Sequence, residues 1–288
     1  MAKYQIIEPA FSSRQTANYK LSILPGVDSL VYMVYNNQFE LLLLDRISVP
    51  ATEDRRPDYA SVLQNESLLQ HHYGEVRVAM PGAIHTLVPE RLFGDADLFP
   101  YLQHLTALPP GTELVADRLD KLNATMIYAF DPELTRTFLQ TFGNVQFYHL
   151  GSALIQGSAQ LQENFKSERV FLYVQDRRLH VLSFRGEELF FYNAFEFSDG
   201  KDFVYYAMLA YHQFKLSTEH VPCLLCGDIE EDSELYKLLY RYVRHLSFSP
   251  PSLTLRMSDN GQKLFARPSR YFALFGLHFC NFSNGVRS

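Results

Sequence analysis

From residue 19 onward, short apolar blocks alternate with turn chemistry, and most of these blocks predict strands. Tyr19 to Leu24, Ser29 to Tyr35 and Gln38 to Asp45 are rich in β-branched, aromatic and leucine residues. Between them lie Pro25-Gly26-Val27-Asp28 and Asn36-Asn37, residue types that tight turns require. The spacing predicts a three-stranded meander. Val62, Leu63, Leu68 and Leu69 then recur at helical spacing between Asp58 and Tyr73, ahead of a strand at Glu75 to Met80. Pro and Gly cluster from Pro81 to Gly111 around a short helix near Ala96 to Leu105, and strands follow at Glu113 to Asp120 and Asn123 to Phe130. In "DPELTRTFLQTFG", Asp131 has N-cap chemistry, Pro132 suits the first helical position and Gly143 can close the helix. A strand at Asn144 to Leu150 and a helix from Ser152 to about Phe165 complete this half.

The second half opens with "VFLYVQDRRLHVLSFRGEELFFYNAFEF", which predicts strands at Glu168 to Gln175, Leu179 to Arg185 and Glu188 to Phe197. Asp199 starts a helix through Leu216 in which Phe203, Tyr206, Ala207, Ala210, Tyr211 and Phe214 share a face. A strand at Cys223 to Gly227 and a helix at Asp232 to His245 follow. The order strand, strand, strand, helix, strand, helix thus occurs after residue 168 and, with insertions, after residue 19. It predicts two α/β lobes, over residues 1–166 and 167–288. The repeat is one of element order, without residue identity between the halves.

Composition narrows the class. The chain has 288 residues, 47% apolar and 20% charged, as folded proteins do. A formal net charge of −6 argues against broad affinity for nucleic acid or anionic membranes, while leaving room for a local basic patch. Three cysteines, an odd number, and the polar start Met1-Ala2-Lys3-Tyr4 predict a reduced, cytoplasmic protein. Apolar runs such as Phe39 to Leu44 fall far short of the about 20 residues that a membrane-spanning helix needs.

Two meanders with helical crossovers resemble the ribonuclease H-like lobes of the actin, sugar kinase and heat-shock ATPase superfamily. More closely, the chain resembles a family of uncharacterised bacterial proteins, a domain of unknown function with the actin-like ATPase fold. The resemblance implies an α/β protein of two ribonuclease H-like lobes. In active members a hairpin turn in each lobe begins with Asp followed by glycines, so that backbone N–H groups wrap phosphates while the carboxylate organises magnesium or water.

Here the first such turn, Leu24-Pro25-Gly26-Val27-Asp28, lacks the leading acid. Pro25 removes a donor, and Gly26 and Asp28 leave a partial imitation. In the second turn Asp176 sits where the family's aspartate would, but Arg177 and Arg178 stand where glycine permits close approach. The two arginines fit either a solvated turn or an anion clamp of guanidinium forks. The segment "CLLCGDIEEDSELYKLL" resembles the family's adenosine segment, with Gly227 alone of its glycine pair. Its acids from Asp228 to Asp232 suit a helix dipole, with Asp232 or Ser233 as N-cap, but would repel phosphates.

Other chemistry is sparse. Cys223 and Cys226 have C-x-x-C spacing, but positions three apart on a strand face opposite ways, which predicts buried packing. His71, His72, His85 and His104 lack ligand spacing, and His180 and His212 stand alone in sequence. The tail "FALFGLHFCNF", Phe272 to Phe282, predicts a buried strand or helix. The implied function is a binding or scaffolding module that has lost its ATPase motifs, takes no cofactor or metal and binds a protein partner. The alternative is a divergent ATPase or kinase in which Asp176 orients water or metal and Gly227 packs against a base in the interlobe cleft. A homodimer through sheet edges or the aromatic tail is compatible with both.

Overall fold

The computed structural model describes residues 4–82, 84–94, 96–108, 112–129, 131–161, 167–249, 255–258, 262 and 267–281. The chain divides into two compact units: Met1–Ala153 with Thr254–Ala266 and Ala273–Ser288, and Leu154–Leu253 with Arg267–Phe272.

In the first unit, β1 (Tyr4–Ile7), β2 (Lys20–Pro25), β3 (Ser29–Tyr35), β4 (Leu41–Ser48), β5 (Glu75–Met80) and β9 (Gln146–His149) form one sheet in the order β1-β4-β3-β2-β5-β9. The β2-β3-β4 meander is antiparallel; β5 joins β2, and β9 joins β5, in parallel. Parallel neighbours need crossovers. The first runs through α1 (Tyr59–Asn65), capped by the Asp58 carboxylate, and a 3-10 turn at Ser67–Gln70.

The second crossover carries a three-stranded sheet ordered β6-β8-β7, built from β6 (His85–Pro89), β7 (Leu114–Leu119) and β8 (Ala124–Ala129), with a one-turn helix α2 (Phe99–Leu102). It ends in α3 (Pro132–Phe142). Asp131 accepts from the Glu133 and Leu134 N–H groups, and Gly143 closes the helix at φ 74°. Leu150–Gln160 forms α4; its expected extension to Phe165 lies outside the described residues.

The second unit repeats the scheme. Its strands are β10 (Glu168–Gln175), β11 (Arg178–Arg185), β12 (Glu188–Glu196), β13 (Cys223–Gly227) and β14 (Leu246–Phe248), in the order β12-β11-β10-β13-β14. Counted from β2 in the first sheet, where β1 is an added edge strand, and from β10 in the second, the order third, second, first, fourth, fifth is the same in both, with the last two strands parallel to the first. The helix α5 (Gly200–Gln213), capped by Asp199, packs beside β11, and its Phe203, Ala207, Ala210 and Tyr211 share one core with Leu179 and Val181 of β11 and Val170, Leu172 and Val174 of β10. The helix expected over Asp232 to His245 is shorter. As α6 (Glu234–Leu239) it is capped by Ser233, and the chain then turns so that Leu246–Phe248 pairs with β13.

The apolar tail is helical, as α7 (Phe272–His278), and Phe272 to Leu277 are buried. Gly276 is required there, since a Cβ would run into the Ala153 carbonyl. Phe282 lies outside the described residues.

Candidate functional site

The β2–β3 turn is closed on itself. Gly26 N–H donates to the Ser29 carbonyl at 2.8 Å, and the Gly26 carbonyl accepts from the Tyr59 hydroxyl at 2.7 Å. The Asp28 carbonyl accepts from Val49 N–H at 2.9 Å, and its carboxylate lies 4.0 Å from the Arg46 guanidinium. Pro25 has no N–H and that of Gly26 is committed, so two positions that would serve a phosphate do not offer a donor.

The β10–β11 turn has two residues, with Gln175 opposite Arg178. Asp176 at φ 50° and Arg177 at φ 60° are both left-handed, as the tight primed hairpin turns demand. Asp tolerates this conformation; Arg adopts it at a cost of about 1–2 kcal/mol. Contacts of the Arg177 side chain offset that cost. Its guanidinium donates to the carbonyls of Ser198 and Phe197, and its own carbonyl accepts from Phe197 N–H at 3.0 Å. Arg178 pairs with Glu196 at 2.8 Å. Both guanidinium groups thus engage protein acceptors, and the Gln175 amide donates to Asp176 at 3.3 Å.

Gly227 lies beside Val174 in the parallel register, which brings it to the same end of the five-stranded sheet as Asp176, Arg177 and Arg178. It has φ 85°, and a Cβ would collide with the Val174 carbonyl oxygen. Asp228 N–H donates to that oxygen at 2.7 Å. Two of the acids that follow are paired: Asp228 with Arg270 at 2.8 Å and Glu230 with Arg267. Arg270 in the 3-10 turn at Pro268–Tyr271 and Arg267 just ahead of it thus neutralise two of the carboxylates at the exit of β13.

Cys223 shares the helix-side core with Leu225 while Cys226 does not, as alternation along a strand requires. Burial pushes the thiols of Cys223, Cys226 and Cys280 up, which keeps them protonated and unreactive. Among the described residues no group of three or more His, Cys, Asp and Glu side chains could share a metal ion.

A polar network in the first unit was not anticipated from sequence. Asp117 of β7 is buried, and its Oδ2 accepts from the Ser152 hydroxyl at 2.6 Å and from His149 N–H at 2.7 Å; its Oδ1 accepts from the Tyr128 hydroxyl at 3.3 Å. The residue types are those of a serine hydrolase, but the geometry is not. His149 Nδ1 accepts from Gly151 N–H at 3.0 Å, so Nε2 carries the proton and donates to the Gly82 carbonyl at 3.1 Å. Neither ring nitrogen can take the Ser152 proton, which points at Asp117. The network joins β7 of the inserted sheet to β9 and α4. Its one sequence signal is an acid amid apolar residues in "LVADRL".

Burial raises the Asp117 carboxyl to about 7, against the three hydrogen bonds that lower it. The stability this group contributes is therefore present below its unfolded pKa of about 3.9 and lost as pH rises through 7. In Asp117→Asn the amide oxygen can keep both bonds to Oδ2, and the amide nitrogen can donate to Tyr128. The variant is expected to match the parent near pH 4 and to gain on it up to pH 7, at up to about 1.4 kcal/mol per pH unit. Denaturation at both pH values checks this. A parallel pair of curves would mean that Asp117 is ionised throughout. His278, held down at about 4 chiefly by burial, gives the opposite slope between about 4 and 6.5, and cancels in the difference.

Residues 8–246 match a family described as a protein of unknown function, DUF3822. The chain belongs to this family. No curated protein matches it. Among solved structures it is similar to a Bacteroides thetaiotaomicron protein with actin-like ATPase fold and unknown function. Identity is 17%, with 88% of this chain and 98% of that one covered, at a TM-score of 0.73. It is also similar to a PilM–PilN type IV pilus biogenesis complex, at 16% identity over 90% of this chain and 97% of that one, with a TM-score of 0.65. The ethanolamine utilization protein EutJ from Carboxydothermus hydrogenoformans is 9% identical over 96% of this chain and 93% of that one, with a TM-score of 0.52. This DUF3822 member therefore has the actin-like ATPase fold, in agreement with the strand order repeated in its two sheets. No helix among its described residues is long and apolar enough to cross a membrane.

Proposed function

We propose that this DUF3822 protein is a cytoplasmic, non-catalytic binding module for a protein partner, built on an actin-like fold whose phosphate turns have become structural. One observation carries the reading. At the turn where the superfamily's glycines would approach phosphate, Arg177 is fixed on the Phe197 and Ser198 carbonyls and Arg178 on Glu196. Gly26, Asp28, Asp176 and Gly227 retain residue types of the ancestral site, each with a local packing or turn partner of its own. A protein of this fold occurs in a complex with another protein, PilM with PilN, which supports a partner as the ligand class.

The test is thermal and calorimetric titration with ATP, ADP and GTP, each with and without magnesium, on the parent and on Asp176→Ala. No stabilisation at millimolar nucleotide and equal background hydrolysis are expected. A ligand present at 100 times its Kd would add about 2.7 kcal/mol. Saturable stabilisation, or turnover that Asp176→Ala abolishes, would replace this reading with that of a divergent ATPase or kinase.

A further inference from the structure

Just after α6, Tyr240 and Tyr242 are 59% and 54% exposed, while Val243 between them and Arg244 is buried. The tyrosines sit on a fixed backbone. The Leu239 carbonyl accepts from both Tyr242 and Val243 N–H, Arg244 N–H donates to the Thr218 carbonyl at 3.0 Å, and Cys223 N–H donates to the His245 carbonyl at 2.8 Å. Tyr240 also ends a run of nearly parallel rings: Phe248 lies 5.8 Å from Tyr236 at 7°, and Tyr236 lies 6.0 Å from Tyr240 at 16°. Two large, amphipathic side chains are thus held in the open at low entropic cost.

Around them, Lys237, Arg241 and Arg244 are exposed and make no ion pair among the described residues. The unit's other surface arginines are engaged: Arg177 with the Phe197 and Ser198 carbonyls, Arg178 with Glu196, Arg185 with Glu168, Arg267 with Glu230 and Arg270 with Asp228. In a chain of net charge −6, three cations outside any ion pair among the described residues, gathered beside exposed tyrosines, call for a reason. The position of Lys237 near the C-terminus of a six-residue helix accounts for one charge and for neither tyrosine. Tyr and Arg are the residue types that dominate binding hot spots, and complementarity calls for an acidic occupant.

We propose that Lys237, Tyr240, Arg241, Tyr242 and Arg244 form a docking surface for an acidic protein segment that carries apolar side chains between its carboxylates. The inference rests on the binding-module reading and names the chemistry of its partner. A segment of a few residues fits better than a nucleic acid. Exposed Glu231, Asp232 and Glu234 precede the patch on the same stretch of chain, and a longer polyanion would run onto them.

The experiment is fluorescence anisotropy of the full chain with a labelled pool of 12-residue peptides, half Asp or Glu and half Leu or Phe. A Lys/Arg pool of equal length, a 12-nucleotide oligodeoxythymidine and phosphatidylserine vesicles are the other arms. The acidic pool should bind, and at least tenfold more weakly to Arg241→Glu/Arg244→Glu and to Tyr240→Ala/Tyr242→Ala, with the melting temperature unchanged in the arginine variant, whose positions are exposed, and lowered only slightly in the tyrosine variant, which loses the stack on Tyr236. Three results would overturn the proposal: equal binding of acidic and basic pools, equal binding by parent and variants, or preference for the oligonucleotide or vesicles. Nucleotide binding with the peptide result intact would remove the non-catalytic reading and keep this surface. The converse pair of results would keep that reading and remove the surface.

Discussion

Arg77→Ala is expected to lower stability by about 3–5 kcal/mol and to release the C-terminal helix of the first unit. Arg77 stands on β5, and one nitrogen of its guanidinium donates to the carbonyls of Leu277, His278 and Cys280 at 2.7, 2.9 and 2.8 Å. These carbonyls lie at or just beyond the end of α7, where acceptors lack helical partners and a positive charge meets the negative end of the dipole. Its Nε pairs with Glu75, which Lys20 also holds at 3.0 Å.

Truncation would leave the carbonyls without their donor beside buried Leu277 and Cys280, where water cannot fully replace it. The stacking of His278 on Phe39, at 3.7 Å between ring centroids, depends on the same seat. Arg77→Lys should recover only part of the loss, because one ammonium cannot serve Glu75 and the carbonyls together. Urea denaturation gives the stability, and hydrogen exchange over residues 273–280 locates the change. Unaltered exchange there would show that the helix is held by its apolar face alone.

The second large effect is expected at Gly227→Ala, at about 3 kcal/mol or more from overpacking and a left-handed backbone together. The collision is with the backbone of β10, which cannot rotate away as a side chain could. Gly143 provides the internal control. It has φ 74°, and a Cβ there would meet nothing within 4 Å, so Gly143→Ala should cost only the conformational share, about 1–2 kcal/mol. Equal losses in the two variants by chemical denaturation would refute the packing account of Gly227. A larger loss at Gly227 would mean that this glycine is held by contact with Val174, whatever its ancestry in a nucleotide motif.

The amino-acid sequence by itself determined the two meanders, the crossover strands Glu75–Met80 and Cys223–Gly227, and the caps at Asp131 and Asp199, because each depends on a period or a turn within a few residues. The opposite facing of Cys223 and Cys226 followed from the same local rule. Only the tertiary structure decided the short strands Tyr4–Ile7, His85–Pro89 and Leu246–Phe248, whose patterns are too brief to stand out until a neighbour offers its edge. It also decided where charges go. Asp228 and Arg270, Arg77 and Leu277, and Asp117 and Ser152 are separated by 42, 200 and 35 residues. No periodicity spans such gaps. Packing brings these groups together, and burial then obliges each to find a partner.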